Sequence, residues 1–175
     1  MPSRLLLATN NAGKLAEYDV LLEGCGWEVV TPRDLGIDIE VEETGETYEA
    51  NATIKARRGS EASGLVTLAD DSGIEIEAMG GDPGVHSARF RCVIAVADPR
   101  TGAVRTAEGE VFGQIAEAPA GEGGFGYDPI FWLPQHSATM AELPEHQKNI
   151  VSHRARAVAG ARQILKELLY EHERT

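Results

Sequence analysis

The sequence predicts an α/β fold in which a mixed sheet is flanked by helices. Two observations lead there. Apolar runs of strand length alternate with stretches of helical periodicity at both ends of the chain. Between residues 74 and 133 the pattern is instead period-two and hairpin-like, which requires an antiparallel section in the same sheet.

The first strand is the apolar run 4–9. Thr9-Asn10-Asn11-Ala12-Gly13-Lys14 follows, then a helix over 15–22 with Leu15, Tyr18 and Leu22 at helical spacing. Asn10 or Asn11 is its expected N-cap and Gly24 its expected end. Free N–H groups and a partial positive charge at such a helix start suit an anion, and Lys14 adds a full charge. A capped surface helix with a solvated lysine accounts for these residues equally well, and the segment is not a Walker A loop.

Residues 27–31 read as a second strand stopped by Pro32, and 40–45 as an acidic loop containing Glu42 and Glu43. A helix over about 47–62 carries Tyr48, Ala52 and Ala56 as a weak apolar stripe and ends near Gly64. Leu65 to Ala69 then reads as a buried strand that opens into a turn at Asp70-Asp71-Ser72-Gly73. Adjacent carboxylates at the carboxyl end of a buried strand are costly unless a cation or a set of donors satisfies them.

Residues 74–78 alternate as a half-exposed strand, 80–84 form a turn cluster, and 90–96 with 104–115 form a hairpin turning at 98–102. Residues 119–129 are glycine-rich. Gly121, Gly123 and Gly126 satisfy G-x-G-x-x-G, but Pro119 before them and Pro129 after them exclude a dinucleotide fingerprint. The loop is better suited to close approach of backbone to a flat ligand, displaying Phe125, Tyr127 and Asp128. Residues 129–134 read as a short strand. Ser152 caps a last helix running to about His172, with Val158, Ala161, Leu165, Leu168 and His172 on its core face. Lys148, His153 and Arg154 form a basic trio at its start.

With 175 residues the chain makes one domain, with room for two lobes, and 42% hydrophobic and 25% charged residues mark it as globular. No apolar run approaches the roughly 20 residues of a membrane span. A net charge of −12 argues against binding nucleic acid or an anionic membrane, while leaving room for a small polyanion held by clustered cations or a divalent metal. Cys25 and Cys92 make neither a disulfide framework nor a metal spacing, and the first residues lack a signal-peptide cleavage site, so a reducing cytoplasm is expected.

Taken in order, Thr9–Lys14, Glu42–Asn51, Ala69–Gly73, Pro83–Arg89, Gly124–Pro129, Ala141–Leu143 with Lys148, and Ser152–Arg154 make one series. This series resembles the inosine/xanthosine triphosphate pyrophosphatase family over nearly the whole chain. The resemblance implies an elongated, two-lobed α/β fold (the anticodon-nuclease type) with a central active-site cleft, usually a homodimer. It also implies Mg²⁺-dependent hydrolysis of ITP, dITP and XTP to the monophosphate and pyrophosphate. Carried over by motif, Thr9, Asn10, Asn11, Ala12, Gly13 and Lys14 would hold the triphosphate. Asp71 would be proton acceptor and metal ligand, with Glu42 a second acid on the metal, and Ser72 would touch substrate. Phe125, Gly126, Tyr127, Asp128, Lys148, His153 and Arg154 would hold the base and phosphates. Asp70 either orients Asp71 or caps the turn. In one place the chain departs from the family: Ser87-Ala88-Arg89 abuts Phe90, where the family carries a helical segment, implying a thinner second lobe. A pyrophosphatase for modified pyrimidine or methylated nucleotides, or a non-catalytic nucleotide sensor, also accommodates these residues.

Overall fold

A computed structural model describes residues 3–77 and 86–174. Among the described residues, seven strands form one mixed sheet in the order β2-β1-β3-β4-β5-β6-β7. β1 (Arg4–Leu7) lies parallel to β2 (Glu28–Val30) and to β3 (Val66–Ile76). From β3 onward every pairing is antiparallel, through β4 (Ser87–Ala97), β5 (Val104–Ile115), β6 (Phe131–Leu133) and β7 (Ala138–Thr139). The parallel end and the antiparallel end of the sheet thus meet at β3.

The expected turn at Asp70–Gly73 does not exist. β3 runs straight through these residues, paired with β4 from Thr67↔Ala97 to Ile76↔Ala88. Asp, Ser and Gly favour turns locally, but ten successive cross-strand pairs outweigh that preference. The strands expected over 65–69 and 74–78 are therefore one. The turn cluster 80–84 lies outside the described residues.

Helix α1 (Ala12–Leu21) is capped by Asn11, whose side chain accepts from the Lys14 N–H, and it stops at Leu22, before Gly24. A one-turn helix, α2 (Pro32–Leu35), follows β2 where only a strand stop was expected. Thr31 and Asp34 cap each other reciprocally to form it. α3 (Tyr48–Ser63) has Thr47 as N-cap and Gly64 in the left-handed conformation as C-cap, matching expectation. The stretch 129–134 opens with a 3₁₀ turn at Asp128–Ile130 before β6, with Pro129 in its first positions, where a missing N–H costs little. α4 (Glu145–Val151) leads directly into α5 (His153–Glu173), whose N-cap is Ser152.

Side chains alternate across a strand, and this divides β3 between two cores. Val66 and Leu68 join Leu5, Leu7, Tyr18, Ile94, Val158, Ala161, Leu165 and Leu168 beneath α1 and α5. Ala69 joins Ala52, Ala56, Val93 and Ala95 beneath α3. Asp70 and Asp71 continue the two series, so adjacent carboxylates emerge on opposite faces of the sheet. α5 reaches the sheet closely because Gly109 leaves room for it: a Cβ there would collide with the His153 carbonyl and the Ala157 N–H. That contact seats the first turn of α5, with His153 and Arg154, beside the carboxylate-bearing part of β3.

Candidate active site

The loop between β1 and α1 forms one wall of a cavity of about 280 Å³, lined by Thr9, Asn10, Asn11, Lys14, Glu43, Lys55 and Asp70 among others. Thr9 Oγ1 accepts from the Asn11 N–H at 3.2 Å, and Asn11 Oδ1 accepts from the Lys14 N–H at 3.0 Å. These bonds fix the loop as the start of α1, with Ala12 and Gly13 in the first turn. Lys14 Nζ is 3.0 Å from Asp70 Oδ2.

Asp71 lies on the α3 side. Its Oδ2 accepts from Asn51 Nδ2 at 3.1 Å and its Oδ1 from Lys55 Nζ at 3.2 Å. Lys55 also pairs with Glu43 Oε1 at 3.2 Å. Glu42 is exposed on the loop beside Glu43. Two carboxylates on separate elements therefore converge on one ammonium, a place already favourable to positive charge. Asn51 and Lys55 were not singled out in the sequence, although their four-residue spacing on a helix places them on one face.

A second cavity, also about 280 Å³, continues along α1 past Gly13 and Glu17 to Phe125, Leu143, Lys148 and Asn149. The Phe125 ring stands against Gly13, where an added Cβ would lie 2.6 Å from ring carbons. The ring is also 5.4 Å from Lys148 Nζ and 5.5 Å from Arg154 Cζ. Asp128, buried, ties the glycine-rich loop together: its Oδ2 accepts from the Phe125 N–H at 2.9 Å and from Lys148 Nζ at 2.7 Å. Gly126 is left-handed at φ 62°, and Tyr127 is exposed.

Arg154 is buried and donates to Ser72 Oγ at 3.1 Å, to Asp70 Oδ2 at 3.4 Å and to Glu17. Glu17 pairs also with Lys148. Glu17, missed in the sequence, is three residues beyond Lys14 on α1, a helical spacing that could have found it. Asp70 neither orients Asp71 nor caps a turn. Its burial raises the carboxyl pKa, but Lys14 and Arg154 overcome this and hold it below the ordinary value. For Lys148 burial acts to lower the pKa, and Asp128 and Glu17 overcome it, raising the ammonium above its usual value.

His153 breaks the basic trio expected from sequence. It is 6% exposed and stacks on Phe90 with centroids 4.7 Å apart. Burial first, and then the Arg154 charge, push its pKa down to about 3, so it is neutral at pH 7. Among the described residues, the cations beside the Phe125 ring are Lys148 and Arg154.

A helix N-terminus with a lysine, a second lysine shared by Asp71 and Glu43, and an aromatic ring beside two further cations make an α/β protein whose cavities suit an anion next to a flat group. A sequence profile of the Ham1 family matches residues 5–91 and 86–164. The chain is 42% identical to the dITP/XTP pyrophosphatase of Desulforamulus reducens, over 97% of this chain and 99% of that one. It is 44% identical to the dITP/XTP pyrophosphatase of Symbiobacterium thermophilum, over 96% and 98%. A solved HAM1 protein from Coxiella burnetii superposes with a TM-score of 0.82 at 34% identity, covering 94% of this chain and 99% of that one. The chain belongs to the Ham1 family. The two profile matches meet at residues 86–91, and the D. reducens alignment spans 200 residues against the 175 present here. The relative therefore carries a segment that this chain lacks, and β4 runs unbroken through the junction.

Proposed function

We propose that this chain is a nucleoside triphosphate pyrophosphatase that hydrolyses dITP, ITP and XTP to the monophosphate and pyrophosphate, requires Mg²⁺, and works as a cytoplasmic homodimer. The observation that carries the reading is the placing of Lys14 and Lys55 on one cavity and Lys148 on a second at the other side of α1, with Arg154 near the Phe125 ring, in a chain of net charge −12. Such a local cluster selects a polyanion that the rest of the surface repels. The curated relatives, named dITP/XTP pyrophosphatases, supply the substrate class.

In this reading the α1 N-terminus and Lys14 bind phosphate oxygens. Phosphoryl chemistry depends on positioning and charge neutralisation, and Lys55 and Lys148 add to both. Asp71, oriented by Asn51 and Lys55, accepts the proton of the attacking water. Phe125 stacks on the purine, and donors at this end favour a 6-oxo group over the 6-amino group of adenine, since facing donors would be left unpaired.

Asp71 and Glu43, next to Glu42, already turn carboxylate oxygens towards one positive charge, that of Lys55, and oxygen donors of this kind fit a hard cation. Among the described residues no group of three or more His, Cys, Asp or Glu is gathered as a complete cage. Mg²⁺ asks for only one or two carboxylates and takes its remaining ligands from water and phosphate. Asp71 with Glu42 would hold it, and when bound it neutralises triphosphate charge. A panel of ITP, dITP, XTP, ATP and GTP with pyrophosphate release as readout tests the proposal. ITP and XTP should turn over far faster than ATP; comparable kcat/KM for ATP and ITP would overturn it.

A further inference from the structure

We propose that Asp70 is a positioning residue that links the purine end of the cleft to its phosphate end; this rests on the nucleotide-binding reading above. Asp70 Oδ2 is shared between Lys14 Nζ at 3.0 Å and Arg154 Nη2 at 3.4 Å. Lys14 belongs to the phosphate loop. Arg154 belongs to the start of α5, near the Phe125 ring.

From Arg154 the ion pairs continue to Glu17, from Glu17 to Lys148, and from Lys148 to Asp128, which holds the Phe125 N–H. Cations and anions alternate without a break from one cavity to the other. Water is almost excluded at the centre: the side chains of Asp70 and Arg154 are 1% and 2% exposed. In such surroundings a change in one pair is felt by the next with little screening. The hub is also not saturated. Asp70 Oδ1, Arg154 Nε and the Tyr18 hydroxyl are buried without a hydrogen-bond partner among the described residues, so Asp70 can shift its hold between its two cations.

The sign of the effect follows from this sharing. If Arg154 is removed, Asp70 is left to Lys14 alone, and Lys14 is less available to a phosphate. If Asp70 is neutralised, Lys14 is free to bind phosphate but is no longer held at a fixed point. Arg154 is not among the described residues lining the Thr9–Lys14 cavity, and Asp70 is the group that joins it to Lys14 there.

Inorganic tripolyphosphate, which carries no purine, separates the two ends. Its dissociation constant is measured by calorimetry on the intact chain, on Arg154→Met, on Asp70→Asn and on the double variant. Arg154→Met should weaken tripolyphosphate binding by roughly five-fold or more. In the Asp70→Asn background the same change should have less than about a two-fold effect. Asp70→Asn alone should bind tripolyphosphate at least as tightly as the parent, while turning over ITP at least about ten-fold more slowly because Lys14 has lost its fixed position. A merely structural Asp70 would lower the melting temperature and leave the Arg154→Met effect equal in both backgrounds. That equality, or much weaker tripolyphosphate binding by Asp70→Asn, would overturn the inference. Should Asp70→Asn fail to fold, Lys14→Met replaces it: the path ends at Lys14, so Arg154→Met should again have no further effect, and a persisting effect refutes the link. Absence of tripolyphosphate binding by the unaltered chain would instead defeat the nucleotide reading, and this inference with it.

Discussion

Acidification offers a test of the buried imidazole at the start of α5. His153 is enclosed by Phe90, by Arg154 and by the hub around Asp70, and its Nδ1 has no hydrogen-bond partner among the described residues. Its folded pKa is about 3, lowered by burial and by the neighbouring Arg154 charge and only partly restored by Asp70. In the unfolded chain a histidine titrates near 6.5. A depressed folded pKa in a basic group means that the unfolded state takes up the proton first. Its contribution to stability is therefore complete above about pH 6.5 and is lost as pH falls towards 3. Between pH 7 and pH 5 the loss is about 2 kcal/mol, from the unfolded-state protonation alone. His153→Phe keeps a ring on Phe90 and removes the titrating group. Urea unfolding of both proteins at pH 7, 6 and 5 should show the variant gaining on the parent by about 2 kcal/mol over that range. An unchanged difference between pH 7 and pH 5 would mean that His153 takes up a proton in the folded state, and the reasoning fails.

Lys148→Met leaves the partly buried Glu17 and the buried Asp128 with one donor fewer each, and breaking a buried pair costs about 3 kcal/mol. For a domain of this size the melting temperature should fall by roughly 6–12 °C, with a raised KM for ITP; an unaltered melting temperature would show that the pairs are freely solvated. Chelation with EDTA should abolish turnover and excess Mg²⁺ restore it, whereas full activity in EDTA would remove Asp71 and Glu42 from any metal role.

Much of this architecture is legible in the sequence because local signals and tertiary structure agree. Thr47 and Gly64 punctuate α3 as a cap pair should, and the apolar spacing of α5 matches its buried face. The failure at Asp70–Gly73 has the opposite cause. Four residues with strong turn preference sit in the middle of an eleven-residue strand, held there by pairing with β4 that no local window contains. That single error also hid the alternation that sends Asp70 and Asp71 to opposite faces. The role of Asp70 could not be read without it. The loop, cap and lysine at Thr9–Lys14 were legible because they are contiguous. Glu17, Asn51 and Lys55 were not, because each matters through a partner between 16 and 137 residues away. His153 was read as a cation because its sequence neighbours are basic; only its burial against Phe90, beside the Arg154 charge, makes it a neutral ring.

The central claim is that Asp71 accepts the proton of the attacking water, and Asp71→Asn tests it most directly. The substitution keeps the shape of the side chain and its place between Asn51 and Lys55, while removing the charge and the basic oxygen. Loss of a general base alone typically lowers the rate about 10² to 10⁴-fold. With a metal-binding charge lost as well, kcat for ITP should fall by at least roughly three decades while thermal melting of the same preparation stays close to the parent. A folded, normally melting Asp71→Asn protein that hydrolyses ITP at nearly the parent rate would contradict the mechanism.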